Sequence, residues 1–376
     1  MPRYSRVMLG YVIQRLIQAS LVMLAMSALV FVGVYAIGNP IDVLISPDAT
    51  QDIRAATIRH YGLDLPLWQQ YLAFLGRLLQ GDLGRSFVLN IPVLELVLSR
   101  LPATLELALA SVLIGAFIGI PAGIYAGYKP DSPVSKGIMA ASVLGFSVPT
   151  FWVGLILILT FAVNLDWLPA GQRGPTVEVL GVGWSFLTLE GLQFLALPAL
   201  NLSLFKLAMM IRLSRAGTRE VMLSDTVKFA RAAGLSEFTI LRRHVLRLIS
   251  IPLVTVFGLE FGSTLAFAVV TETIFSWPGV GKLIIDSITS LDRPVMVGYL
   301  VLVAFLFVTI NLIVDLTYAL LDPRLRRGGR VGWRRSGASI GRVGSRSSRS
   351  PSSWSWSLPR YWRPGSRRRT LMTWPI

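Results

Sequence analysis

Residues 105–126, LELALASVLIGAFIGIPAGIYA, carry a single charge, Glu106, and three glycines at four-residue spacing, Gly115, Gly119 and Gly123. About 20 apolar residues at 1.5 Å rise each cross the hydrocarbon core of a bilayer as one helix. Small residues four apart line one helix face and let a second helix approach closely. The segment therefore predicts a membrane-spanning helix with a packing face. Five further runs match it, at 16–37, 138–163, 192–211, 251–275 and 296–321. The expected fold class is all-α, a polytopic membrane protein with six transmembrane helices.

Composition agrees with that expectation. Of 376 residues, 53% are hydrophobic and 15% charged, where a soluble domain has about 25% charged. The chain has no cysteine, which excludes a disulfide framework and any thiolate metal or redox site. Its two histidines, His60 and His244, fall on opposite sides of the expected topology, so no histidine metal site is expected. Arg3, Arg6 and Arg15 precede the first run as they would in a secretory signal. That run, however, exceeds the roughly 7–15 residues of a signal core and no small-residue cleavage site closes it. It is read as a helix.

Lysine and arginine gather in the short loops on the cytoplasmic side. With the N-terminus inside, the inner segments hold Arg3, Arg6 and Arg15, then Lys129 and Lys136, then the dense set from Arg212 to Arg247, then Arg324, Arg326 and Arg327. The outer loops are leaner: Arg173 between the third and fourth helices, Lys282 and Arg293 between the fifth and sixth. Both termini are predicted to be cytoplasmic. The long first outer loop, 38–102, contains a helical apolar spacing over 65–75 and a turn at Gly81-Asp82-Leu83-Gly84-Arg85-Ser86, which predicts an interfacial helix capping the outer mouth or meeting a delivery protein.

Breakers and polar residues mark where the backbone can deviate inside a bundle. The third run has Ser147-Val148-Pro149, and the fourth has Pro198 with Asn201 and Ser203. Glu106, Lys206, Glu260, Glu272 and Asp315 are ionisable residues in or near apolar runs, and a carboxylate at a helix centre costs about 2.5–3.5 kcal/mol on insertion scales. Ser147, Pro149, Asn201, Glu260 and Glu272 are the candidate pathway or gate residues, weighed against ordinary packing or structural hydrogen bonds. Ser276-Trp277-Pro278-Gly279-Val280-Gly281-Lys282-Leu283 imitates a phosphate-binding loop. Ser276 stands where that motif needs glycine and Leu283 where it needs Ser or Thr, so nucleotide binding by this chain is rejected.

The basic inner segment 212–250 is read as a helical cytoplasmic loop that suggests a docking surface for a soluble partner. Within it Ala230, Ala232, Ala233 and Gly234 end one short helix, Leu235-Ser236-Glu237 turns and caps, and an arginine-rich helix follows. A small-residue corner lets a partner approach closely. The same helix–turn–helix outline could suggest DNA recognition, but direct attachment to two membrane helices without a dimerising domain argues against nucleic acid.

These residues resemble a known family. Ala230-Arg231-Ala232-Ala233-Gly234-Leu235-Ser236 looks like the coupling loop of the membrane subunits of binding-protein-dependent ATP-binding-cassette importers, in the dipeptide/oligopeptide and nickel branch. Gly81 to Ser86, Leu101-Pro102-Ala103-Thr104-Leu105-Glu106-Leu107, Ser147-Val148-Pro149-Thr150-Phe151-Trp152, Glu272-Thr273-Ile274-Phe275-Ser276-Trp277-Pro278-Gly279 and Ala319-Leu320-Leu321-Asp322-Pro323-Arg324 look like the first permease subunit of that branch. The likeness runs to about residue 327. Lys228 and Phe229 depart from the Glu-Ala that opens the general importer motif, and Arg247 stands where many relatives have proline.

The resemblance implies a type I importer permease fold over residues 1–327 and a non-catalytic subunit of a bacterial inner-membrane transporter. It implies a second permease as partner, an extracytoplasmic substrate-binding protein, and two cytoplasmic ATPases, which would hold the ATP and Mg while this chain binds no cofactor. Ala230 to Glu237 would seat in an ATPase groove. The implied cargo is peptides, with nickel or another small solute as the alternative. The competing class is an ion-gradient-driven secondary transporter, which predicts inverted repeats and a midplane ion site.

Residues 328–376 differ from the rest, with eleven arginines, no acidic residue and five of the ten tryptophans. Such a segment cannot build a core and is expected to be disordered. It could contact anionic lipid headgroups, bind RNA, or be translated from a shifted reading frame.

Overall fold

A computed structural model describes residues 2–36, 50–60 and 64–321. The segment 328–376, the Asp322-Pro323-Arg324 motif and the side chain of Asp315 lie outside the described residues. Helix α1 covers Pro2–Ala36, followed by α2, Gln51–His60, and α3, Leu67–Leu79. Next come α4, Val93–Tyr128, α5, Pro133–Ser147, and α6, Thr150–Leu157, which continues as a π-helix through Ile158–Asn164. A short antiparallel hairpin, β1 Val177–Val179 and β2 Val182–Trp184, pairs Val177 with Trp184. Then α7 is Leu189–Met222, α8 Asp225–Ala232 and α9 Glu237–Ile240. A π turn, Leu241–Val245, leads into α10, Leu246–Phe267. Finally, α11 is Val269–Ile274, α12 Val280–Thr289 and α13 Arg293–Leu321.

Five helices are long and apolar enough to cross a membrane, and α5 with α6 makes a sixth if that bent pair is one span. The expected third helix, 138–163, is thus not one rod: its halves meet at 106°. Pro149 is the cause. It has no N–H to donate, and its ring pushes the preceding residue out of the helical region; Val148 accordingly is extended, at φ −86° and ψ 133°. The expected fifth helix also divides, at Ala268. Elsewhere the helices overrun the apolar limits read from sequence. Helix α4 begins at Val93, nine residues before the loop 38–102 was expected to end, and α7 continues to Met222, well into the basic segment.

The glycines of α4 explain its central packing. A Cβ placed on Gly115 would lie 3.0 Å from Lys206 Cβ, on Gly119 2.8 Å from Met210 Cβ, on Gly123 2.5 Å from the Ile211 carbonyl oxygen, and on Gly127 2.7 Å from that of Arg215. All four neighbours belong to α7. The expected three-glycine face is therefore a four-glycine ridge against which α7 lies backbone to backbone. Large apolar side chains such as Leu21, Phe117, Leu144 and Phe267 point outward, as they do where the surroundings are lipid or another subunit.

One end of the bundle is stitched by buried acids. The hydroxyl of Ser86 bonds Asp292, whose carboxylate also accepts from the backbone N–H of Phe87 at 3.1 Å and Val88 at 3.4 Å. This holds the turn after α3 against the start of α13. Helix α3 begins after Pro66, within the expected interfacial helix, and its Tyr71 meets α1 through Ser27 at 2.9 Å and an edge-on contact with Phe31.

Candidate functional site

At the end of the bundle opposite those stitches, α7 passes through Leu223 and Ser224 into α8, and the chain reverses at Gly234. The reversal is a complete helix-terminating motif. The N–H of Gly234 donates to the Arg231 carbonyl at 2.9 Å and that of Leu235 to the Ala230 carbonyl at 3.1 Å, satisfying carbonyls that the end of α8 would leave bare. Gly234 holds φ at +77°, the left-handed region that glycine enters without steric cost. Ser236 then opens α9, its hydroxyl accepting from the Thr239 N–H at 3.4 Å. Arg231 of α8 grips Glu237 of α9 with two bonds, Nε to Oε1 at 2.7 Å and a second guanidinium nitrogen to Oε2 at 3.2 Å. That hydrogen bond holds the Glu237 carboxyl below the ordinary carboxylate range and raises Arg231. A depressed carboxyl contributes its stabilisation above its unfolded value and loses it as pH falls through the folded one, so the clasp persists at neutral pH and weakens only in acid.

The eight residues Ala230 to Glu237 thus form one rigid corner, but they do not all face the same way. Ala230 is buried with Val227 and Ile240 against Val221 and Met222. Arg231 and Glu237 engage each other. The outward surface is Ala232, Ala233, Gly234 and Leu235, flanked by Phe229 at 77% and Phe238 at 72% exposure. Phe229 and Phe238 border the expected site residues Ala230 to Glu237 without being among them. Their signal is the aromatic type itself, since each stands in a loop dominated by basic residues.

The pathway candidates are not gathered into one cavity. Ser147 and Pro149 are exposed at the bend, with the Ser147 hydroxyl donating to the Val143 carbonyl at 2.8 Å. Asn201 is buried in α7; its Nδ2 donates to Thr271 Oγ1 at 3.1 Å, while Oδ1 has no partner. Glu260 sits half-buried on α10, within electrostatic reach of Lys206 of α7. Glu272 is fully buried in a knot between α4 and the α11–α12 loop: Thr104 donates to Oε1 at 2.6 Å and the Lys282 N–H to Oε2 at 2.9 Å. The loop that imitated a phosphate cradle wraps this carboxylate instead. A Cβ on Gly279 would meet it at 2.3 Å and one on Gly281 at 2.9 Å, and Trp277 closes the knot by donating to the Ala103 carbonyl at 2.8 Å.

Glu106, two residues beyond Thr104 on α4, is paired with Arg173 at 2.9 Å and accepts hydrogen bonds from the backbone and hydroxyl of Ser185. Removing one member of a buried ion pair costs about 3–5 kcal/mol because the other charge is left uncompensated. We expect Glu106→Ala to lower the detergent unfolding midpoint clearly, and the double variant with Arg173→Ala to recover part of the loss. Scanning fluorimetry checks this, and a Glu106→Ala protein as stable as wild type would refute the assigned role. Among the described residues, no group of three His, Asp or Glu side chains could hold a metal ion.

The described residues form a multi-helix bundle with spans long and apolar enough to cross a membrane, glycine-packed where α4 meets α7 and ending in an exposed helical corner. Comparison with known proteins gives the family. Residues 119–327 match the binding-protein-dependent transport system inner membrane component, and residues 8–108 match the N-terminal membrane component of the same systems. The chain is 40% identical over 302 residues to the di/tripeptide transport system permease protein DppB of Pseudomonas aeruginosa, covering 77% of this chain and 90% of that one. It is 39% identical over 320 residues to the oligopeptide transport system permease protein AppB of Bacillus subtilis, covering 85% and 99%. With the dipeptide transport system permease protein DppB of Escherichia coli it shares 34% over 340 residues, covering 85% and 99%. Among solved structures, an inward-facing MetNI methionine ABC transporter chain matches at TM-score 0.46 and 15% identity, covering 60% of this chain and 96% of its own. The chain belongs to the binding-protein-dependent transport system inner membrane component family. It is a multi-pass inner-membrane transport permease with a predominantly α-helical fold.

Proposed function

We propose that this chain is one of two permease subunits of an ATP-driven importer that takes up peptides delivered by an extracytoplasmic binding protein. The observation that carries the proposal is the corner at Ala230 to Glu237, capped, clasped and facing outward with Phe229 and Phe238 on its flanks. Its hydrogen bonds make α8 and α9 move as one body, so a cytoplasmic ATPase that seats it could drive α7 and α10 together. Rigid-body motion of this kind switches access between the two sides of a membrane. The arginines and lysines around the corner favour a cytoplasmic position for it and for both termini, with the acid-stitched end outside to receive the binding protein. ATP and Mg belong to the ATPases, residues 1–327 form the permease, and 328–376 add a basic tail that lipid headgroups would attract. The peptide cargo follows the relatives, which are named as peptide permeases at 34–40% identity.

The test is reconstitution of this chain with its neighbouring permease, ATPases and binding protein in proteoliposomes. ATP-dependent accumulation of alanine peptides is expected, and uptake that persists without ATP but follows an ion gradient would move the protein to a different transporter class.

A further inference from the structure

Two opposite charges lie within the apolar spans where α7 meets α10, and neither is fully satisfied. Lys206 is buried, at 4% exposure, with its stem against the glycine ridge at Gly115. Its ammonium makes one hydrogen bond, 2.8 Å to the Leu202 carbonyl of its own helix, though an ammonium has three donors. Glu260 on α10 is half-buried. Among the described residues its carboxylate accepts no hydrogen bond; Ser263 and Thr264 bond only its backbone carbonyl. The two groups feel each other electrostatically, yet they do not close into an ion pair of the kind formed by Arg173 with Glu106 or Arg231 with Glu237. Charges at such depth are expensive and are kept where they face a pathway or a partner group.

A fixed cation and a fixed anion with open hydrogen-bonding capacity are complementary to a zwitterion. A metal cation would leave Lys206 unanswered and a lone anion would leave Glu260 so. We propose that Lys206 and Glu260 form a translocation subsite for zwitterionic chain ends, Lys206 receiving an α-carboxylate and Glu260 an α-ammonium. The subsite rests on the peptide reading above. Its binding must be weak, since a pathway site has to release what it takes. Glu260 is partly uncovered, and the ridge at Gly115 packs against the Cβ of Lys206.

The experiment uses the complete importer in proteoliposomes, with an equimolar mixture of di-, tri- and pentaalanine. Lys206→Met/Glu260→Leu replaces both charges with apolar groups of similar size, a change that membrane packing tolerates. The double variant is expected to reach the membrane and assemble, with ATP hydrolysis still stimulated by the binding protein and peptide uptake reduced about tenfold or more. Uptake at the wild-type rate would overturn the subsite and leave the pair structural. Loss of stimulated hydrolysis together with uptake would overturn it too, placing the pair in coupling. If the double variant fails to accumulate, Glu260→Gln, which keeps the shape and removes the charge, is read by the same criteria. Wild-type complex that hydrolyses ATP but takes up none of the three peptides overturns the peptide reading itself, a failure distinct from that of the subsite.

Discussion

Gly234→Val is expected to abolish ATP-driven uptake while leaving the amount of protein in the membrane unchanged. A Cβ at this position would meet nothing within 4 Å, so the damage comes from the backbone alone. An L-residue in the left-handed region costs about 1–2 kcal/mol, and a β-branched one tolerates it worst. At φ +77° valine would pull the turn toward an ordinary conformation, breaking the bonds from Gly234 and Leu235 to the Arg231 and Ala230 carbonyls. The Arg231–Glu237 clasp spans that same turn and would lose its register. Gly234→Asn provides the internal comparison, because asparagine enters the left-handed region more readily, and it should retain much of the uptake. Transport in proteoliposomes and membrane immunoblots decide the matter, and normal uptake by the valine variant would sink the coupling role of the corner.

Gly123→Leu should fail earlier, at assembly. The new Cβ would lie 2.5 Å from the Ile211 carbonyl oxygen and 2.6 Å from Ser214 Cβ, and the first of these is backbone that cannot rotate away. Helices α4 and α7 would have to part along the ridge, with an overpacking cost of about 3 kcal/mol or more. We expect a large drop in membrane level and in detergent stability. Ser214→Gly should not rescue it, since that change removes only the side-chain conflict. Gly137→Leu on α5, where a Cβ meets nothing within 4 Å, should be close to neutral. Equal levels of the two leucine variants would mean that the ridge does not set the helix spacing.

The long spans were legible because apolar composition over 20 or so residues leaves few alternatives. Their ends were not, since α7 simply continues as a helix after its apolar side chains give way to arginines. Pro149 announced an interruption in the third span, yet nothing in Ser147-Val148-Pro149 sets an angle, which depends on how α6 packs Gly154 beside Phe275 and Asn201. The corner was readable down to its turn glycine, because helix ends and caps are local grammar. Thr104 with Glu272, Ser86 with Asp292, and Arg173 with Glu106 were invisible, as partners 168, 206 and 67 residues apart leave no periodic trace. Lys206 and Glu260 were each conspicuous as charges in apolar runs. Only the antiparallel packing of α7 and α10 brought them together.

The stitched end also imposes an order on biogenesis. Ser86 leaves the ribosome 206 residues before Asp292, and Thr104 leaves 168 residues before Glu272. At synthesis rates of about 5–20 residues per second, the early half of each bond waits roughly 10–40 s for its acid. By the time Glu272 emerges, the glycine ridge, the corner and the Glu106–Arg173 pair can already have formed, and the bonds to Glu272 and Asp292 are still outstanding. A chain arrested before Glu272 would therefore lack both the knot that joins α4 to the α11–α12 loop and the tie between the turn after α3 and the start of α13.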